Sequence, residues 1–150
     1  LDEGQVVYVA KVMSDHAFNI YSRIGRRAPA HCTGLGKVMM AYLSTEEVNQ
    51  LVEKCGLQRF TERTITDPEV LHAELAQIRS QGYAFDDEEH EPGVRCVAAP
   101  IWDYTGHVVA GVSVTAPTIR FTAERMREMV APVTETARQI SERLGFFQNQ

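Results

Sequence analysis

The sequence predicts an α+β domain in which an antiparallel sheet is flanked by helices. Two strand-like segments open the chain, segments with helical periodicity fill its middle, and a strand hairpin and a final helix close it. Strands grouped apart from helices are typical of this class. The length of 150 residues indicates one domain, and 44% hydrophobic residues are enough for a buried core.

The first third of the chain predicts two strands, a loop and a helix. Residues 5–13 are dense in β-branched and aromatic residues, and residues 17–21 resume that pattern after a turn. Residues 25–29 begin with Gly and end with Pro, so we expect a loop there. Residues 34–43 are rich in helix formers and predict a short helix.

Two helices in the middle carry start signals. Ser44 and Glu47 have the spacing of a capping box, in which a hydroxyl and a carboxylate reciprocally bind backbone N–H groups. Thr66 and Glu69 repeat this spacing, and Gly82 follows as the predicted C-terminal stop.

Residues 94–102 and 107–116 predict an antiparallel hairpin. In its second strand one face is wholly apolar, and the other carries the hydroxyls of Ser113 and Thr115. A two-residue loop places Cys96 opposite Ser113, whereas a three-residue loop with a bulge moves Cys96 to the apolar face. The sequence leaves both registers open.

A last helix is predicted from Thr122 to Gly145 by apolar residues at the helical period. Pro132 violates it, because proline removes a backbone hydrogen bond and clashes with the preceding turn. We therefore expect a kink at Pro132 or a helix that starts later.

Charge and cysteine content exclude several functions. The net charge of −5 argues against a nucleic-acid-binding module, which needs a surplus of Lys and Arg. The three cysteines form neither a disulfide framework nor a C-x-x-C motif, and no apolar run is long enough to span a bilayer. We expect a cytoplasmic protein, and the start at Leu1 predicts a missing upstream domain.

Two local patterns are candidate ligand contacts. Gly34 and Gly36 lie where a loop leads into the predicted helix, and free N–H groups at a helix start can bind a carboxylate or phosphate. The alternative is that the two glycines only permit a tight turn. Residues 86–91 are an acidic run, most of which we expect to be a solvated loop. Asp86 differs, because it follows an apolar strand end and can turn into a pocket.

Cys96, Ser113 and Thr115 form the third candidate if the hairpin register joins them. The alternative for Cys96 is a small buried hydrophobic residue. An enzyme with a Cys96 nucleophile lacks a recognisable motif, and His31, Cys32, Asp86, His90 and Cys96 lack zinc-motif spacing. We therefore predict no catalytic residue, no metal and no cofactor. Arg23, Arg26 and Arg27 could bind a carboxylate, but for at least two of them we expect surface ion pairs.

Several segments together resemble the effector-binding domain of the IclR family of bacterial transcriptional regulators. They are residues 31–41, 61–67, 81–83 with Asp86 and Glu89, 93–100 and 140–145. The resemblance covers essentially the whole chain. It implies a GAF- or profilin-like fold with a twisted antiparallel sheet and no enzymatic activity.

The resemblance also implies a ligand site and partners. In such family members a small organic acid is bound by backbone N–H groups and polar side chains, and apolar side chains cover it. The matching positions in this sequence are Gly34, Leu35, Asp86, Cys96, Ser113 and Thr115, with Ala17 and Ile20 as the apolar cover, or roof. The family more often has Ser at position 115. The resemblance further implies a homodimer or tetramer, and DNA contact only through an upstream winged helix-turn-helix domain.

The effector class is suggested by residues 21–27, which are similar to members that sense sugar-derived acids such as 2-keto-3-deoxygluconate. A sugar acid is therefore the expected ligand. Glyoxylate or pyruvate, aromatic acids and ureides are alternatives, since one scaffold hosts many ligands. A thiol- or metal-dependent enzyme and a ligand-free interaction domain remain the other function classes.

Overall fold

The computed structural model describes residues 1–13 and 23–147. Its helices and strands follow the predicted α+β order. They are β1 (Gln5–Val7), β2 (Arg27–Pro29), α1 (Gly34–Met40), α2 (Thr45–Cys55), α3 (Pro68–Gln81), β3 (Ala84–Asp87), β4 (Val94–Trp102), β5 (Val108–Pro117), α4 (Ala123–Glu128) and α5 (Val130–Arg143).

The main sheet has three antiparallel strands in the order β3-β4-β5. Helices α1 and α3 pack on one face, where Val38, Leu71 and Ala98 are fully buried. Helices α4 and α5 cover the other face, around Val97 and Phe121. Successive side chains of β4 point to opposite faces of the sheet, so this strand contributes residues to both hydrophobic cores. This is expected for a strand that is covered on two sides.

The N-terminal strand is shorter than the sequence predicts. β1 pairs with β2 in a separate two-stranded sheet, and residues 9–13 are outside any strand. The predicted loop at residues 25–29 was wrong, because Arg27–Pro29 forms β2; Pro29 is tolerated at the end of so short a strand. The predicted second strand, residues 17–21, lies outside the described residues.

Local signals at the helix ends are mostly confirmed. Ser44 and Glu47 form the capping box of α2, and Gly82 ends α3 with a left-handed φ of 81°. Thr66 was wrong as the N-cap of α3. Asp67 takes that role and accepts hydrogen bonds from the next two available amides, because Pro68 suits the first helical position.

The last helical region is broken, as Pro132 predicts. α4 ends at Glu128, and α5 begins at Val130, which places Pro132 in the first turn of the second helix. A proline is acceptable there because the first amides of a helix have no intrahelical acceptor. α5 then stops at Arg143, with Gly145 at a φ of 83°.

The hairpin register matches neither predicted alternative. Cys96 pairs with Thr115, and Ala98 pairs with Ser113, two residues away from the first predicted register. A shift of two keeps every side chain on its face, so Cys96 still shares the hydroxyl-bearing face. A bulge between Ile101 and Trp102 then reverses the alternation, and Val108 packs with the α1 and α3 core instead of the predicted apolar face.

Candidate functional site

The start of α1 leaves two backbone amides available. Thr33 caps the helix: its hydroxyl accepts from the Gly36 amide at 3.2 Å, and its carbonyl accepts from the Lys37 amide at 2.9 Å. The amides of Gly34 and Leu35 precede the first intrahelical hydrogen bond and have no acceptor within the helix. The side chain of Leu35 itself packs towards Gly111 of β5.

Close packing fixes this helix start on the sheet. A Cβ at Gly34 would lie 2.9 Å from the Cys96 sulfur and 3.2 Å from the Cβ of Ala98. A Cβ at Gly36 would lie 2.2 Å from the backbone of Ala30. The two glycines therefore do serve a tight packing arrangement, which places Gly34 against Cys96.

Cys96 lies opposite Thr115 and hydrogen-bonds with the hydroxyls of Thr115 and Ser113. Burial raises the pKa of the Cys96 thiol to about 12, and the negative charge of Asp86 adds to this. Hydrogen bonds with Thr115 and Ser113 act in the opposite direction. Cys96 is thus a neutral thiol near pH 7, which is the opposite of an activated nucleophile.

Asp86 lies directly opposite Cys96 in the β3-β4 pair and is only 6% exposed. Its Oδ1 accepts a hydrogen bond from the Glu89 amide at 2.8 Å. Burial raises its pKa to about 7, assisted by the charge of Glu89 and opposed by Lys37 and by its backbone hydrogen bonds. Near neutral pH the Asp86 carboxyl is therefore present in both forms: the protonated form can donate a hydrogen bond, and the ionised form can only accept one.

The rest of the acidic run is more tightly paired than a solvated loop. Asp87 forms ion pairs with Arg63 and Arg95, and the Glu88 carboxylate accepts from the Gly93 amide at 2.8 Å. Arg27 pairs with Asp2 on the surface, in agreement with the expectation for the arginine-rich segment.

Tyr8 is a residue that sequence reasoning did not connect with these groups. Its pKa is raised to about 12 by burial and then by the charges of Cys96, Asp86 and Glu91, so it is electrostatically coupled to the same polar groups. Within a strand-like segment an aromatic residue gives no signal of such a role, because aromatics are common in any strand. Backbone hydrogen bonds to Arg26 and from Gly25 hold it in place.

The structure therefore brings five of the predicted site residues together on one face of the sheet, with the Leu35 amide beside them. The five are Gly34, Asp86, Cys96, Ser113 and Thr115. Ala17 and Ile20, the predicted roof, lie outside the described residues.

The described part of the chain contains no cluster of three or more metal-ligating side chains. His31 is 7% exposed and its Nε2 is 3.0 Å from the Gln58 carbonyl, while the ring of His90 packs edge-on against Phe60.

Across residues 1–13 and 23–147, none of the helices is long and apolar enough for a membrane span. A separate cavity of about 570 Å³ is lined by Arg59, Phe60, Thr61, Glu62, Arg63, Glu88 and Pro92, and none of these is a predicted site residue.

The fold is that of the C-terminal domain of a family of bacterial transcriptional regulators. The model of the family described as bacterial transcriptional regulator IclR, C-terminal, matches residues 1–142. The chain belongs to the IclR family, which consists of transcriptional regulators and not of enzymes.

Individual relatives agree with this assignment. The chain is 47% identical over 146 residues to the HTH-type transcriptional regulator KdgR of Escherichia coli K12, covering 97% of this chain and 56% of that protein. The chain thus spans about half the length of that curated relative.

Solved structures show the same fold. The crystal structure of the C-terminal domain of E. coli KdgR has a TM-score of 0.86 at 44% identity, covering 97% of this chain and 84% of the other. The inducer-binding domain of PobR from Acinetobacter, a double mutant in complex with 3-hydroxybenzoic acid, has a TM-score of 0.87 at 34% identity, covering 94% and 83%.

Proposed function

We propose that this domain senses a small organic acid, with a sugar-derived keto or hydroxy acid as the preferred class. The observation that carries the proposal is the convergence on one sheet face of free helix amides, a buried Asp86 and two hydroxyls flanking a neutral thiol. Similarity to KdgR supports the sugar-acid class, and the PobR complex supports an organic acid as the general ligand of this fold.

In the proposed complex the ligand carboxylate accepts hydrogen bonds from the Gly34 and Leu35 amides. Its keto or hydroxyl oxygens meet Asp86, Ser113 and Thr115, and Cys96 fills the floor between them. A neutral Asp86 donates to a keto oxygen and avoids repelling the ligand carboxylate. Ala17 and Ile20 are proposed to roof the site.

This arrangement makes binding pH-dependent. An anionic ligand beside Asp86 favours its neutral form, whereas the free carboxyl ionises at about pH 7. Affinity should therefore be highest below pH 7 and should fall up to about tenfold per pH unit above it.

The first test is a thermal-shift screen of the chain against three groups of ligands: sugar acids, short keto acids and aromatic acids. A ligand at 100 times its Kd stabilises by about 2.7 kcal/mol, which is readily measured. A hit among the sugar acids supports the preferred class, and a hit only among the other groups replaces it. No shift with any acid contradicts the proposed function.

The second test assigns the hit to this site. Ser113→Ala should weaken binding about fivefold, because a buried hydrogen bond contributes about 1 kcal/mol. Ser44→Ala is the matched control: it makes the same chemical change in the exposed capping box of α2 and should leave the Kd unchanged. Equal affinity of the wild type and Ser113→Ala by calorimetry would argue against the role of Ser113.

We further propose that the whole regulator carries an upstream winged helix-turn-helix domain, works in the cytoplasm and assembles as a homodimer or tetramer. Effector binding would then change DNA affinity by favouring one arrangement of the assembly, which requires unequal ligand affinity for the two states. Operator binding by the full-length regulator with and without the effector tests this coupling.

A further inference from the structure

A buried ion triad connects three parts of the fold next to the candidate site. The Lys37 ammonium on α1 is fully buried and lies 2.9 Å from Oε1 of Glu74 on α3. It lies 2.6 Å from Oε1 of Glu89, in the loop that follows β3. Burial lowers the pKa of Lys37, but the two carboxylates outweigh burial and raise it, so Lys37 remains a cation.

The two carboxylates differ in what else they hold. Glu89 also donates its amide to Asp86 Oδ1 at 2.8 Å, and its carbonyl accepts from the Thr64 hydroxyl at 2.6 Å. Glu74 is a helix residue whose side chain is 30% exposed. Of the two carboxylates, Glu89 is therefore the one that links Lys37 to Asp86.

Lys37 lies one turn after Gly34 on the same helix, so the Lys37–Glu89–Asp86 chain spans the two halves of the proposed ligand site. One half is the amides of α1 and the other is the carboxyl of β3. We propose that Glu89 is a positioning residue of the effector site, which sets the distance between these halves and places a second carboxylate beside Asp86. This inference rests on the proposed function.

The energetics of the triad favour such a role. The second oxygen of Glu89, Oε2, is buried and has no hydrogen-bond partner among the described residues. An unsatisfied buried charge lowers stability, and well-packed apolar side chains often replace a buried ion pair without loss. Stability alone therefore does not account for a carboxylate at position 89.

Among residues 1–13 and 23–147, several charged or titratable groups interact with Asp86. Glu89 raises the Asp86 pKa, and Lys37 lowers it. Three further groups, Tyr8, Cys32 and Cys96, have pKa values raised mainly by burial and additionally by the charge of Asp86. Replacing Glu89 therefore removes one negative charge next to Asp86 and leaves Lys37 and the other groups in place.

The experiment compares Glu89→Gln with Glu74→Gln. Each variant removes one carboxylate from Lys37, but only Glu89→Gln removes the charge next to Asp86. The Asp86 carboxyl is titrated by NMR in the free chain, and the Kd for 2-keto-3-deoxygluconate is measured by calorimetry from pH 6 to pH 8.5.

In Glu89→Gln the Asp86 midpoint should fall by about one pH unit, because a like charge at this range shifts a carboxyl by that order. Binding at pH 8 should weaken about tenfold. In Glu74→Gln the Asp86 midpoint should remain within about 0.3 pH unit, and the Kd within about twofold, of the wild type. A structural role alone would change the unfolding midpoint without moving the Asp86 titration.

A second variant keeps the test decisive if Glu89→Gln is unstable. Lys37→Met with Glu89→Met replaces the pair by apolar side chains of similar length and should fold. The two removed charges act on the Asp86 pKa in opposite directions, so its titration midpoint should stay near that of the wild type. Binding should still weaken, by about fivefold, if Glu89 positions the site, because the lost positioning is worth about one buried hydrogen bond. Wild-type affinity in this double variant overturns the inference, as does an Asp86 midpoint that is equal in Glu89→Gln and Glu74→Gln.

Failure of the proposed function looks different. In that case the wild-type chain binds none of the acids in the screen, and both proposals fall together. If the wild type binds and Ser113→Ala weakens binding, but Glu89→Gln behaves like Glu74→Gln, only the role of Glu89 is overturned.

Discussion

Replacing Asp86 by Asn should stabilise the domain at high pH and remove the fall in effector affinity above pH 7, because Asn stays neutral and its amide can still donate to the ligand. The folded state raises the Asp86 pKa from 3.8 to about 7, mainly through burial. A carboxyl whose pKa is raised on folding stabilises the fold fully below pH 3.8, and this contribution is lost as the pH rises through 7. Asn does not ionise, and its side-chain oxygen can still accept the Glu89 amide.

The magnitude follows from the proton count. Between pH 5 and pH 7 the folded chain keeps the proton on Asp86 while the unfolded chain has lost it. Each pH unit in that window lowers the free energy of unfolding by about 1.4 kcal/mol, which gives about 3 kcal/mol in total. The stability of Asp86→Asn relative to wild type should rise by that amount between pH 5 and pH 8.

Urea unfolding at pH 5, 6, 7 and 8 measures this difference, with the fluorescence of the single tryptophan, Trp102, as the probe. Other titrating groups are present in both proteins and cancel in the comparison. Asp87→Asn is the matched control, because Asp87 is half-exposed and paired with Arg63, and it should gain no stability with rising pH. A difference between Asp86→Asn and wild type that is the same at every pH refutes the reasoning.

Three further perturbations test the packing around the site. Lys37→Met should cost about 3–5 kcal/mol in urea unfolding, because it leaves Glu89 buried without its cation; adding Glu89→Met should recover most of the loss, and no recovery would contradict a buried charge as the cause. Gly36→Ala should cost at least about 1–3 kcal/mol by the same assay, since its Cβ would overlap the Ala30 backbone 2.2 Å away; an unchanged midpoint would show that the helix shifts freely. Ser141→Ala should lower the thermal midpoint by the equivalent of about 1–3 kcal/mol, because the Trp102 amide loses its acceptor at 2.9 Å; a neutral effect would mean that another acceptor replaces it.

Features that depend on neighbours in the chain were predictable. The capping box at Ser44, the stop at Gly82 and the break near Pro132 each follow from backbone chemistry within one helical turn, and the structure confirms all three. The α+β class was also predictable, since it depends only on the order of such segments. Thr66 was misassigned because Asp67 and Pro68 make a better helix start within the same short segment.

Features that depend on pairing across the chain were only partly predictable. The hairpin register is set by a bulge at Ile101 and Trp102, which shifts the pairing without an obvious sequence signal. The predicted grouping of Cys96, Ser113 and Thr115 nevertheless holds, because strand alternation has a period of two and the shift was even. Tyr8 escaped prediction for the reason that its neighbours in space, Asp86 and Cys96, are far away in the sequence.

The buried charges show why a site of this kind resists prediction from sequence while still being interpretable from structure. Lys37 follows a glycine in a short helix and Glu89 stands in an acidic run, and both contexts are typical of exposed residues. Only the fold brings the two side chains to 2.6 Å and places Asp86 one hydrogen bond away. A carboxyl held neutral by burial lowers the stability of the domain at physiological pH, as the Asp86→Asn comparison measures. A cost of that kind is expected where a buried polar group serves ligand binding, and it should vanish when Asn, which does not ionise, replaces the carboxyl.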